Sequence, residues 1–373
     1  MDTNENIKVS ARPAVSRRAD LDMIRVLAFS LVIIYHFMIE TETHGVFSFT
    51  EHGIFYMNAN VHIASLGVAM FFMLSGVGLM LGTKRKFNLK QYWKRRFVKI
   101  LLPFYVTYLG ALVLLCIMRH PLPFDGKTPF WTVIFTLTGT DEYASLWGIS
   151  DFSLGIGEWF LGALMLMYAV FPLLRVLMKK FRFCFPVLSA AVYLVLLAFY
   201  SFRVPAINNA AIKLFDFIFG MLLAQWLLFP EGLSDSALSG FAKRKRAARS
   251  HLSGTVGAVF MLFLVFCPLS LPVPDEIKAT AGAAALMLFF TGFEDVWRRM
   301  KRLNRVMHAV SGITFEIYLV HHLIIYWFSG VFEDSVLPVS RMLLLLIGVL
   351  AVMVFAAVML KGAVKGVTKL LKL

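Results

Sequence analysis

The sequence predicts an all-α integral membrane protein of about ten transmembrane helices, with both termini in the cytoplasm. Three observations carry that expectation. The chain of 373 residues is 59% hydrophobic with a mean hydropathy of +0.75, a composition that excludes a soluble globular domain. Apolar stretches of spanning length recur along it. Finally, 30 of the 37 Lys and Arg residues fall in six short regions: 1–20, 82–99, 175–182, 230–250, 294–305 and 361–373. Alternating the apolar stretches from a cytoplasmic N-terminus puts all six regions inside, as the positive-inside rule requires. The net charge of +15 therefore reads as topology rather than as a nucleic-acid footprint. It also gives weak attraction for anionic lipid or an anionic cofactor at the inner face.

Taken in order, the expected spans are 21–40, 63–82, 97–118, 157–177, 183–201, 210–229, 251–271, 277–293, 306–329 and 339–361. Around them the chain divides into a cytoplasmic N-terminal segment (1–20), one transmembrane domain (21–361) and a basic cytoplasmic tail (362–373). The hydrophilic start is followed by no small-residue cleavage site, so the first span is expected to stay as an anchor. Lys84–Arg96 has too few apolar residues to cross and reads as an amphipathic helix on the inner surface, running into the third span. Phe130–Thr140 is apolar but too short to cross, and reads as a re-entrant or interfacial piece on the outer side. No internal repeat is visible. Cys116, Cys184 and Cys267 are isolated, with no CxxC or metal-ligand spacing, so neither a disulfide nor a metal site is expected.

The first span, LDMIRVLAFSLVIIYHF (Leu21–Phe37), is the chemically loaded one. Arg25 and His36 are 11 positions apart, which on a helix is three turns with about 20° left over, so they share one face about 16 Å apart along the axis. Two such groups on one stripe of a membrane helix face a polar interior unless each snorkels to its own surface. His36 lies about 22 Å into the membrane, and His321 and His322 of the ninth span reach about 20 Å from the same side. Glu158 opens the fourth span from the opposite side. Imidazoles and a carboxylate from three helices can therefore converge in the outer leaflet. Arg25, Arg95, Arg96 and Lys99 would make a positive vestibule at the inner face.

A neutral imidazole takes a proton from a hydroxyl at physiological pH. A cluster of Arg and Lys holds phosphates. A phosphate-bearing donor inside and a hydroxyl acceptor outside describe acyl transfer through the membrane from a coenzyme A thioester. Simpler roles stand beside these. Tyr318, His321 and His322, with Tyr326 and Trp327, also fit an interfacial belt, and Arg95, Arg96 and Lys99 fit inner-surface anchors. Glu158 also complements a helix dipole. Asp216 and Glu316, inside spans, require buried partners.

Four blocks, in order, resemble acyltransferase family three, the bacterial integral-membrane O-acyltransferases. Arg25-x10-His36, preceded by Leu21-Asp22, resembles that family's Arg-x10-His motif. GVAMFFMLSGVGLM (Gly67–Met80) is similar to its second-span block, GEWFLGALMLMYAVFPLL (Gly157–Leu174) to its Trp-Phe-Leu…Tyr…Pro segment, and SGITFEIYLVHHLII (Ser311–Ile325) to its ninth-span Ser…Tyr-Leu-x-His block. The resemblance covers nearly the whole chain. It implies that His36 is catalytic and Arg25 essential. It also implies that the donor is cytoplasmic acetyl-CoA, with no permanently bound cofactor, and that the acceptors are envelope carbohydrates or related hydroxyl compounds at a bacterial inner membrane. The family's coenzyme-facing Arg-x-x-Arg corresponds to Arg96–Lys99, where Lys replaces the second Arg and loses its bidentate fork. The competing class is a transporter or flippase of an anionic or sugar-linked substrate, since charged intramembrane residues also mark transport paths. Paired, broken half-helices would favour that class, and none are seen.

Overall fold

A computed structural model describes residues 18–49, 61–82, 87–118, 128–149, 151–225 and 240–372, with only the backbone described over 240–247. The chain is 81% helical, without strands among the described residues. In chain order the helices are α1 (Ala19–Thr43), α2 (Ile63–Gly82), α3 (Leu89–Arg96), α4 (Leu102–Ile117), α5 (Val133–Thr138), α6 (Asp141–Leu146), α7 (Glu158–Lys180) and α8 (Cys184–Ala198). They continue with α9 (Ala210–Leu223), α10 (Gly240–Phe266), α11 (Asp275–Gly292), α12 (Glu294–Arg299), α13 (Lys301–Ser311), α14 (Thr314–Val331) and α15 (Val339–Leu370).

Each expected span overlaps one of these helices. Six carry the length and apolarity needed to cross a membrane: α1, α2, α3–α4 together, α7, the part of α10 from Ala248 to Phe266, and α15. The pair α13–α14 makes a seventh if its 59° bend is taken as one broken span. The others fall short for visible reasons. The described part of α9 has 14 residues and α8 has 15, both under the roughly 17 that a crossing needs. In α11, Asp275, Glu276 and Lys278 crowd the first turn. The chain is thus a helical protein built to cross a membrane several times.

Of the stretch Lys84–Arg96 expected to be an amphipathic helix, Leu89–Arg96 forms α3, capped by the Asn88 side chain accepting from the Gln91 backbone N–H at 2.9 Å; Lys84–Lys86 lie outside the described residues. The short apolar piece Phe130–Thr140 is a 3₁₀ turn followed by α5, closed by Gly139 in the left-handed region at φ 66°. It continues into α6, which packs on α7.

Helix α1 is the common neighbour, packing against α2, α11, α13 and α14. Its Ile24 and Ala28 join Met70, Met73 and Met287 in one core, while Phe29, Ile33 and Phe37 join Ile317, Ile325 and Val349 in another. A third core gathers Phe72, Phe104, Phe171 and Phe217 from α2, α4, α7 and α9. Apolar residues on the outside, such as Leu188 of α8 and Leu344 and Phe355 of α15, are exposed, as a lipid-facing surface demands.

With lipid as apolar as Leu, association between spans rests on close backbone packing. Helices α2 and α9 show it. A Cβ on Gly220 would lie 1.9 Å from the Met73 carbonyl oxygen, and one on Gly76 would lie 2.1 Å from that of Phe217. Neither neighbour is a flexible side chain, so any larger residue pushes the helices apart. Buried Asp216 sits on this α9: it accepts from Thr280 Oγ1 at 2.7 Å and faces Lys213 Nζ at 3.8 Å. Glu316 is half-buried instead, with no ion-pair partner among the described residues. Gly220→Ala is expected to destabilise the fold by about 1–3 kcal/mol, seen as a lower thermal midpoint in detergent. Gly348→Ala, with nothing within 4 Å of the added Cβ, should leave the midpoint unchanged.

Candidate active site

A cavity of about 430 Å³ runs beside α1 and is lined by both Arg25 and His36. The shared stripe read from their spacing is thus the wall of a real space. Phe71, Trp159, Phe160 and Phe315 give it an aromatic lining.

At the Arg25 end the cavity is basic. Arg96 and Lys99 line it, and Lys99 lies within electrostatic reach of Arg96, Arg95 and Arg25. The backbone explains why both side chains reach it. Phe97–Leu101 is a π-helical turn, in which the Leu102 N–H bonds to the Phe97 carbonyl five residues back. Pro103 follows, and it has no N–H for the Lys99 carbonyl and a ring that would crowd it. A wide turn relieves that conflict, and such turns recur at functional sites. Arg96 is then held by aromatic faces, 5.2 Å from the Tyr168 ring centroid and 5.8 Å from that of Tyr92. The Tyr92 hydroxyl donates to the Tyr168 carbonyl at 2.8 Å, locking the pair. Arg95, by contrast, is exposed on α3 and does not line the cavity.

Arg25 is fixed from α13. Its Nη1 donates to Ser311 Oγ at 2.8 Å and approaches Asp22 Oδ1 at 3.3 Å. Ser311 Oγ donates to the same Asp22 oxygen at 2.7 Å, and His308 Nδ1 meets the other at 3.2 Å. Asp22 therefore has partners beyond Arg25.

At the far end, Glu158 gathers two imidazoles from different helices. His36 Nε2 lies 3.5 Å from its Oε2, and His321 Nε2 lies 3.2 Å from its Oε1. The His36 and His321 rings meet edge to face at 5.1 Å. Tyr318 organises the group twice. Its hydroxyl donates to the Gly157 carbonyl, and its own carbonyl takes the His321 Nδ1–H at 2.6 Å. Glu158 itself has φ 45°, a left-handed conformation that a non-glycine residue adopts at a cost of about 1–3 kcal/mol and that concentrates at functional sites. Gly157 before it is also left-handed, at φ 81°. Together they turn the chain into α7 with the carboxylate aimed inward.

His322 points elsewhere. Its Nε2 lies 3.4 Å from Glu40 Oε1, and His44 Nδ1 donates to the Glu40 carbonyl at 2.8 Å. His322 does not line the cavity, although its ring is 5.3 Å from that of His36. Of the residues singled out from the sequence, six line the cavity: Arg25, His36, Arg96, Lys99, Glu158 and Tyr318. His321 stands directly behind Glu158. Sequence reasoning missed Ser311, Tyr92 and Tyr168. Two of them left a trace, Ser311 as the first residue of the ninth-span block and Tyr168 as the Tyr of the Trp-Phe-Leu…Tyr…Pro segment.

No curated protein and no solved structure matches the chain. A family model described as an acyltransferase domain, of acyltransferase family three, matches residues 18–361. That range takes in every helix of the cavity, from the Arg25–His36 stripe of α1 to the His321 turn of α14. The chain belongs to acyltransferase family three and is a membrane acyltransferase.

Proposed function

We propose that the chain moves an acyl group, acetyl in the simplest case, from cytoplasmic acyl-CoA to a hydroxyl of a saccharide or lipid-linked envelope acceptor. Its place would be the bacterial cytoplasmic membrane, with both termini inside. The observation that carries this reading is that one cavity joins a basic mouth to a histidine–carboxylate group. Arg96 and Lys99 meet the coenzyme phosphates, and Arg25 stands on the path between mouth and base. The pantetheine arm covers the roughly 16 Å from Arg25 to His36 between aromatic walls. The acceptor hydroxyl meets the thioester at the His36 end.

The proton chemistry follows from the contacts. Glu158 faces His36 Nε2, which places the imidazole proton there and leaves the Nδ1 lone pair as general base. As the acceptor oxygen attacks the thioester carbonyl, His36 takes its proton. The C–S bond breaks, and the same proton goes to the departing sulfur. The products are an ester and coenzyme A thiol, with no net proton gained or lost. Glu158 steadies the imidazolium while it exists.

Two measurements test the reading in purified protein. In acetyl transfer from acetyl-CoA, His36→Ala should lose about 10²–10⁴-fold in turnover while donor affinity survives. If His36→Ala keeps near-normal turnover while His321→Ala is inactive, the base belongs on α14 instead. For donor binding, charge-assisted contacts contribute about 1.5–3 kcal/mol each. The double change Arg96→Ala with Lys99→Ala should therefore raise the acetyl-CoA dissociation constant by on the order of a hundredfold. Arg95→Ala, outside the cavity, should leave it near the parent value. Unchanged affinity in the double variant would return these residues to a surface-anchor role.

A further inference from the structure

The group formed by His36, Glu158 and His321 has the donor set and spacing of a metal site, although its members lie far apart in the chain. One ligand atom from each residue falls within 4.8 Å of the other two. A tetrahedral zinc ion with bonds of about 2.0–2.1 Å holds its ligand atoms about 3.3 Å apart. The contacts to Glu158, 3.5 Å from His36 Nε2 to Oε2 and 3.2 Å from His321 Nε2 to Oε1, are close to that edge, one on each carboxylate oxygen.

The His321 ring supplies an independent argument. Its Nδ1 lies 2.6 Å from the Tyr318 carbonyl, which only accepts, so Nδ1 carries the proton and the neutral ring has its lone pair on Nε2. That Nε2 is buried and has no hydrogen-bond partner among the described residues, and neither has Glu158 Oε1 beside it. His321 is only 1% exposed. Two acceptor atoms therefore face each other in a dry place, and the conflict is relieved either by a proton that makes His321 an imidazolium or by a metal cation between them. A backbone carbonyl holding the far nitrogen of a ligating histidine is also the usual outer support of a metal-binding imidazole. His322 does not complete the group, since its Nε2 is engaged with Glu40. The fourth position opens on the cavity that His36 and Glu158 line.

We infer that His36, Glu158 and His321 form a binding site for one Zn²⁺-class divalent ion, and that occupancy shuts the enzyme off. Two imidazoles and a carboxylate suit borderline transition ions rather than Mg²⁺ or Ca²⁺, which take oxygen ligands. The inhibition rests on the reading of His36 as base. A metal on Nε2 forces the imidazole proton to Nδ1, which removes the lone pair that would take the acceptor proton.

The probe is Zn²⁺ itself. Purified protein in detergent, equilibrated with micromolar Zn²⁺ and desalted, should retain one equivalent by elemental analysis. Co²⁺ in the same protein should give tetrahedral visible bands that Zn²⁺ erases, a readout that needs no variant. His321→Gln and Glu158→Gln should each weaken Zn²⁺ binding at least about a hundredfold, since even the outer supports of such sites carry 10–100-fold. His322→Ala should bind as the parent does. Micromolar Zn²⁺ should stop acetyl transfer, and a chelator should restore it. No retained Zn²⁺, or equal retention by His321→Gln and Glu158→Gln, overturns the site. Zn²⁺ bound there with transfer unaffected overturns the inhibition. If a chelator abolishes transfer and Zn²⁺ restores it, the site stands, while the inhibition and His36 as a free base both fall.

Discussion

Everything in this molecule depends on satisfying polar groups where the surroundings offer no water. Helix α1 carries Asp22, Arg25 and His36 along a face that a lipid bilayer cannot solvate, and each is answered by another helix. Ser311 and His308 of α13 answer at the Arg25 end. Glu158 of α7 answers at the His36 end, with His321 of α14 sharing the carboxylate. These pairings oblige α7, α13 and α14 to gather round α1. The cavity is what remains between the helices that the pairings draw in.

Charge alone does not make such an assembly rigid. The backbone contact of α2 with α9 at Gly76 and Gly220 brings two helices as close as their main chains permit. Side chains there have no room to rearrange, so α2 presents Phe71 to the cavity from a fixed distance. The cost of the left-handed Glu158 is borne in the same way, by Tyr318 gripping the Gly157 carbonyl. Strain at the carboxylate and close packing elsewhere are parts of one arrangement. The site is stiff where the chemistry needs aim and open where two substrates must enter.

Much of this was legible in the sequence, and the limits are physical. Helical periodicity is local, so the spacing of Arg25 and His36 placed both on one wall without reference to any other residue. Hydropathy found where the chain is apolar, and each expected span overlaps a helix. It could not say that α8 is short, because capping and packing decide length. The 59° bend between α13 and α14 was also hidden, since no proline marks the break at Gly312 and Ile313. The pairing of Glu158 with two histidines depends on which helices adjoin, and that is settled by small residues and shape. The metal-like donor set stayed invisible for the same reason. Motif spacing detects ligands on one turn or one loop, whereas these three come from helices more than a hundred residues apart in sequence. Ser311, Tyr92 and Tyr168 carry no charge, so nothing in composition distinguished them.

The wide turn at Phe97–Leu101 has a consequence for how this chain tolerates change. A π-turn holds one residue more than the α-helical turn it replaces, so its removal is a matter of register. Deleting a single residue there would join α3 and α4 in continuous α-helical register, with Pro103 then inside the helix and a kink at that point. Everything upstream would rotate by about 100° and draw in by about 1.5 Å. Arg96 would swing off the Tyr92 and Tyr168 rings and out of the cavity, while α4 kept its place in the core. Such a deletion would disconnect the basic mouth from the rest of the site. The length of this segment is therefore as much a part of the site as the identity of its side chains.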